Sequence, residues 1–217
     1  MRLGVLGGTF DPIHLGHLRL AEEVGEGFGL DRVYILPAAS PPHKGGRTVT
    51  PFHHRFEMAR LAVEGSPLLT AFDLEARRQG LSYSIETLKE FHRLFPSNLE
   101  LFFILGTDAF QEIDTWKHYR ELFDYAHFVV VQRPGIPPGE AEERLFSLGA
   151  PFRKEQENRF IGPSGKEVIY FEATLMDISS TGIRDKAGAG KSIRYLVPEG
   201  VRCYILDHGL YKTYGIP

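Results

Sequence analysis

Cysteine is almost missing from this chain: Cys203 is the only one in 217 residues. That excludes an intrachain disulfide framework and a cysteine-rich zinc site. Cys203 stands in the run Val201-Arg202-Cys203-Tyr204-Ile205-Leu206 with no evident partner base, which reads as a small buried residue rather than a nucleophile. An excess of charge of one sign is also lacking. The 25 Lys and Arg nearly balance the 28 Asp and Glu, for a net charge of −3. No global field therefore draws the chain to nucleic acid or to an anionic membrane, and any anion must be held by local groups. No apolar run approaches the ~20 residues of a membrane span. The start of the chain does not read as a signal peptide, because residues 3–6 run straight into glycines behind a single early charge, Arg2; the expected compartment is the cytoplasm. Internal repeats and low-complexity tails are absent.

What is there reads as one α/β domain. The length suits a single unit, and 42% hydrophobic with 24% charged residues is ordinary for a soluble protein able to build its core without staples. Residues 1–7 read as a short buried strand, followed by a glycine turn and a helical pattern from Leu15 through Leu18, Ala21, Val24 and Phe28. Residues 32–37 read as a second strand, so the opening is a strand–helix–strand unit with a right-handed crossover. The alternation continues: helix at 52–64, strand at 68–74, helix at 84–95, strand at 99–105, strand at 127–132 and a last strand at 168–171. This spacing predicts an open, doubly wound, Rossmann-like parallel sheet, in which ligands bind at the carboxyl ends of strands near a topological switch point. Residues 135–165 mix Pro, Gly and charges, with a short helix near 141–147, and read as a peripheral insertion.

Chemistry-bearing motifs follow the strands. Gly7-Gly8-Thr9-Phe10-Asp11 lies after the first, where glycines let the backbone approach a phosphate and the next helix offers free N–H groups. His14 and His17, three apart at a helix start, share one face, and Gly16 between them leaves room for a nucleotide. Two imidazoles there can donate to phosphate oxygens or carry positive charge against a transferring phosphoryl group. Taken alone, the pair also fits a metal pair, or one capping and one core histidine. Ser179-Ser180-Thr181-Gly182-Ile183-Arg184 can cap a helix and hold phosphate oxygens, with Arg184 as a clamp; taken alone it reads first as a plain capped helix with a surface arginine. Gly190-Lys191-Ser192 is not a P-loop, since the position five before Gly190 is Asp185.

The run Gly-Gly-Thr-Phe-Asp-Pro-Ile-His-Leu-Gly-His resembles the first motif of the nucleotidyltransferase superfamily, in the form of the bacterial nicotinate-nucleotide adenylyltransferases. Ile178-Ser179-Ser180-Thr181-Gly182-Ile183-Arg184 is similar to that family's second signature. The resemblance spans most of the chain but does not reach residues 135–165. It implies adenylyl transfer from ATP to nicotinate mononucleotide, giving deamido-NAD and pyrophosphate in NAD biosynthesis. Gly7, Gly8, Thr9, Phe10, Gly16, Ser179, Ser180 and Thr181 are then expected to bind ATP. His14, His17, Lys44 and Arg184 supply charge neutralisation, with Mg²⁺ on the triphosphate and no metal held by protein ligands alone. Lys44 matches a family lysine in the stiff loop Pro41-Pro42-His43-Lys44. The mononucleotide falls to Ser84 and Thr87 at the third helix, Gly106 and Asp108 after the central strand, and Trp116, the only tryptophan, whose polar neighbours point to partial exposure. The implied reaction is in-line attack by the 5′-phosphate, already an anion, so no general base is required. Both partners are small molecules rather than nucleic acid or a membrane, and a homo-oligomer stays open. A preference for nicotinamide mononucleotide, and a non-catalytic nucleotide-binding protein of the same fold, are the competing readings.

Overall fold

A computed structural model describes residues 1–41, 49–132, 138–149, 151–174 and 176–212, with the backbone alone at 138–141. The chain opens β1 (Arg2–Gly8), α1 (Leu15–Gly27), β2 (Arg32–Pro37), α2 (Phe52–Ala62) and β3 (Leu69–Ala71). A 3-10 turn (Leu74–Arg77) leads to α3 (Ser84–Leu94), β4 (Glu100–Gly106) and α4 (Thr107–Gln111). A second 3-10 turn (Ile113–Thr115) precedes α5 (Tyr119–Tyr125), β5 (His127–Gln132) and α6 (Pro138–Ser147). Then follow β6 (Arg153–Gln156), β7 (Arg159–Ile161), β8 (Glu167–Glu172), α7 (Ser180–Gly188) and α8 (Glu199–Asp207). No described helix is long and apolar enough to cross a membrane.

The strands form one sheet in the order β3-β2-β1-β4-β5-β8-β7-β6. The first six in that order are parallel, and β7 and β6 add on antiparallel. From β1 the chain winds outward through β2 to β3, then returns to lay β4 against the other side of β1. The connections at β1 and β4 therefore leave the sheet in opposite senses, which opens a crevice beyond their carboxyl ends.

Period-two alternation divides the apolar side chains between two faces. Leu101, Phe103 and Leu105 of β4 join Ile85, Leu88 and Phe91 of α3 and Leu122 and Phe123 of α5 in one buried cluster. Phe102 and Ile104 turn the other way, onto a cluster built with Ala21 and Val24 of α1, Met58 and Ala59 of α2, Ile183 of α7 and Val201 and Ile205 of α8. This is the doubly wound α/β architecture expected from the alternating pattern.

Several local expectations need correction. The strand expected at 68–74 pairs for three residues only, because at the sheet edge it has β2 as its single partner before the chain turns into the 3-10 segment. Residues 199–207 form a helix that the sequence presented as an apolar run. Its buried residues Val201 and Ile205 are four apart, so Cys203 between them lies on the opposite face and is exposed, not buried. Within 135–165 the described residues include the hairpin β6–β7 at the sheet edge, and Leu145, Leu148, Phe152 and Phe160 pack into the α3–α5 cluster.

Candidate active site

The glycine turn after β1 lies at the crevice. A Cβ on Gly8 would stand 2.9 Å from the Phe10 ring, and one on Gly16 only 3.2 Å from the His14 ring. Phe10 is itself at φ 48, left-handed and buried, so the backbone here admits nothing larger at position 8.

His14 caps α1 and is buried; His17, three residues on, stacks upon it at 3.6 Å between ring centroids. The His14 backbone N–H donates to Nδ1 of His17 at 3.3 Å. That leaves the proton of a neutral His17 on Nε2. Burial lowers His14 from 6.5 to about 4, and burial together with the His14 charge lowers His17 to about 3. Both imidazoles are therefore held neutral at pH 7 in the free protein, which fits the first of the two roles open from sequence, hydrogen-bond donation, better than the carrying of positive charge. His14 Nδ1 is buried without a hydrogen-bond partner.

Two clefts meet at Thr9, Phe10 and His17. The smaller, about 240 Å³, is polar and is completed by Asp11, Val49, Ser179, Ser180, Thr181 and Arg184. Ser179 is the N-cap of α7 and its Oγ accepts from the Gly182 N–H at 3.1 Å. Ser180 Oγ donates to the Pro12 carbonyl at 2.8 Å, which ties α7 to the β1–α1 loop. Arg184 donates to the Asp11 carbonyl and, at 2.8 Å, to Thr181 Oγ1. Its position is thus fixed from two sides.

The larger cleft, about 460 Å³, is mostly apolar. Its lining includes Gly7, Gly8 and Leu36 of β1 and β2, Phe103 and Gly106 of β4, Ala109 of α4 and Trp116, with Tyr83 and Ser84 at the start of α3. Trp116 is half-buried and packs edge-on to Phe103 at 6.2 Å. Lys117 also lines this cleft, its ammonium 4.7 Å from the Tyr83 ring centroid and 3.1 Å from Glu86.

Of the residues expected from sequence, Gly7, Gly8, Thr9, Phe10, His17, Ser84, Gly106, Trp116, Ser179, Ser180, Thr181 and Arg184 line the two clefts. His14, stacked on His17, and Gly16, against the His14 ring, line neither. Asp108 sits exposed on the first turn of α4, outside both linings. Thr87 is buried beneath the start of α3, its hydroxyl engaged by Glu75 and Arg78. Lys44 lies outside the described residues.

Sequence reasoning missed the frame around the site. Arg55 is 1% exposed and donates to the carbonyls of Thr50 at 2.8 Å, Thr9 at 2.8 Å and Ala39 at 3.5 Å. It thereby joins the loops after β1 and β2 to the start of α2. The Asp11 carboxylate accepts from the Tyr211 hydroxyl at 2.8 Å and the Thr50 N–H at 3.2 Å. The available signal was an arginine sharing a helical face with Met58 and Ala59. Among the described residues no group of three His, Cys, Asp or Glu could hold a metal ion.

The chain is similar to known proteins over nearly its whole length. Residues 5–186 match the family described as Cytidylyltransferase-like. A protein of Geotalea uraniireducens (strain Rf4) named "Probable nicotinate-nucleotide adenylyltransferase" is 46% identical over 98% of this chain and 99% of its own. A protein of the same name from Desulfitobacterium hafniense (strain DSM 10664 / DCB-2) is 42% identical over 97% and 96%. Among solved structures, Plasmodium falciparum nicotinic acid mononucleotide adenylyltransferase complexed with NaAD aligns with a TM-score of 0.73 over 97% of both chains; at 20% identity it speaks for the fold. The chain belongs to the cytidylyltransferase-like family and, within it, to the nicotinate-nucleotide adenylyltransferases.

Proposed function

We propose that this chain condenses nicotinate mononucleotide with ATP, taken as its Mg²⁺ complex, to give deamido-NAD and pyrophosphate. The observation that carries the reading is the meeting of two unlike clefts at Thr9, Phe10 and His17. One is polar, with a capped helix start and an anchored arginine suited to a triphosphate. The other is an apolar slot with a half-buried tryptophan, suited to a pyridine ring.

In this reading the mononucleotide 5′-phosphate attacks the α-phosphorus in line, and the bond to the leaving pyrophosphate breaks on the opposite side. Catalysis is positioning and charge stabilisation. His17 donates its Nε2 proton as a hydrogen bond to an oxygen of the transferring phosphoryl group. His14 acts from behind, stacking His17 into one orientation. Arg184 and the α7 start hold the departing phosphates, and Lys44 adds a point charge on the strength of its sequence position. Mg²⁺ rides on the phosphates. Ser84 and Trp116 orient the pyridine nucleotide, whereas Thr87 acts through its neighbours.

The test is pyrophosphate release from ATP with the acid or the amide mononucleotide as acceptor. Robust release with the acid is expected; release with the amide alone moves the assignment to that substrate, and release with neither leaves a nucleotide-binding protein. His17→Ala removes one preorganised donor and should lower kcat by about 10²–10³-fold in a folded protein.

A further inference from the structure

One acidic side chain of the larger cleft has no role in this chemistry. Glu75, in the 3-10 turn Leu74–Arg77, lines the cleft and is 8% exposed. Its Oε1 accepts from the Thr87 hydroxyl at 2.7 Å, while Oε2 is buried with no hydrogen-bond partner. A carboxylate buried against a cavity repels an anionic ligand unless a cation compensates it.

Arg78 supplies that cation. Its Nη2 lies 3.8 Å from Glu75 Oε1, donates to Thr87 Oγ1 at 2.7 Å and donates to the Tyr83 carbonyl at 3.2 Å. Thr87 thus receives from the arginine and gives its own proton to the glutamate, a chain with one direction. Tyr83 is the N-cap of α3, next to Ser84, so the chain also anchors the backbone where the helix start faces the cleft.

We propose that Arg78 is a specificity-determining positioning residue. Through Thr87 and Glu75 it holds the start of α3 against the cleft and neutralises the buried carboxylate, so that a mononucleotide bearing a ring carboxylate is accepted as well as, or ahead of, its uncharged amide. This rests on the reading that the larger cleft takes the mononucleotide.

The experiment measures kcat and KM for nicotinate mononucleotide, nicotinamide mononucleotide and ATP in wild type, Arg78→Met, Glu75→Gln, the Arg78→Met/Glu75→Gln double variant, Thr87→Ser and Thr87→Val. Arg78→Met should raise KM for the acid on the order of tenfold by uncovering a buried charge, with KM for ATP unchanged. The acid-to-amide ratio of kcat/KM should fall by a similar factor. The double variant should recover most of that ratio, because the uncovered charge is gone. Thr87→Ser should behave as wild type and Thr87→Val should resemble Arg78→Met. An unchanged ratio in Arg78→Met, a double variant no better than the single one, or equal losses for acid, amide and ATP would each overturn the proposal. Trp116→Ala tests the underlying reading separately: if it leaves KM for both mononucleotides unchanged, the cleft itself is misassigned. A raised KM there, with Arg78→Met silent, sinks only the role of Arg78.

Discussion

The stacked histidines should make the free protein acid-sensitive in a way that two substitutions abolish. His14 titrates near 4 and His17 near 3 in the folded chain, against 6.5 when unfolded. Both folded values are depressed, so the unfolded chain binds more protons across that interval and stability falls as pH drops below 6.5. At pH 5 an unfolded histidine lies ~1.5 pH units below its pKa while the buried one is still neutral. At about 1.36 kcal/mol per unit, each histidine then withdraws about 2 kcal/mol relative to neutral pH, or about 4 kcal/mol for the pair. That is a large share of the roughly 5–15 kcal/mol that holds a domain together. The loss continues to lower pH and levels off below the folded values. Urea unfolding of wild type and of His14→Gln/His17→Gln, each at pH 7 and pH 5, isolates the effect, since all other titrating groups cancel in the difference. The wild type should lose about 4 kcal/mol more than the double variant between those two conditions. Equal losses in the two proteins would show that the imidazoles are not held neutral by burial, and the assignment of His17 as a neutral N–H donor would fall with it.

Other perturbations separate frame from chemistry. Arg55→Met leaves the carbonyls of Thr9, Ala39 and Thr50 without their shared donor; it should cost about 3 kcal/mol in urea unfolding and raise KM for ATP. Gly8→Ala presses a methyl into the Phe10 ring, with an expected loss of about 1–3 kcal/mol and weakened ATP binding by calorimetry. Arg184→Lys keeps the charge but loses the bridge between the Asp11 carbonyl and Thr181; steady-state kinetics should show kcat down by about 10²-fold, and an unchanged kcat would mean charge alone suffices there.

The alternation of apolar strands and helical faces was plain in the sequence because each of β1, β2, β4 and β5 is buried on both sides and reads as a continuous apolar run. The hairpin β6–β7 was not legible, since all four residues of β6, Arg-Lys-Glu-Gln, are exposed at a sheet edge and carry no apolar period. The two signatures announced themselves by combination: glycines, paired histidines and a run of hydroxyl residues, each ordinary at a strand-to-helix turn, stand together at a fixed spacing. Their partners were hidden for the opposite reason. Arg55, Glu75, Arg78 and Tyr211 stand in helices and turns where such residues are commonplace, and only the fold reveals that they are buried or bridging. Thr87 marks the boundary between the two cases. At the sequence level its hydroxyl belongs with Ser84 on one motif, yet helical spacing puts position 87 a turn beneath position 84, facing inward. A residue can therefore belong to a functional motif by spacing and serve it from behind. The same geometry separates His14 from His17, where the inner ring fixes the outer one. In both pairs one residue lines a cleft, and its partner three positions away is buried and does not. Under the proposed mechanism, which relies on positioning without a general base, such a division lets the buried partner fix the orientation of the one that lines the cleft.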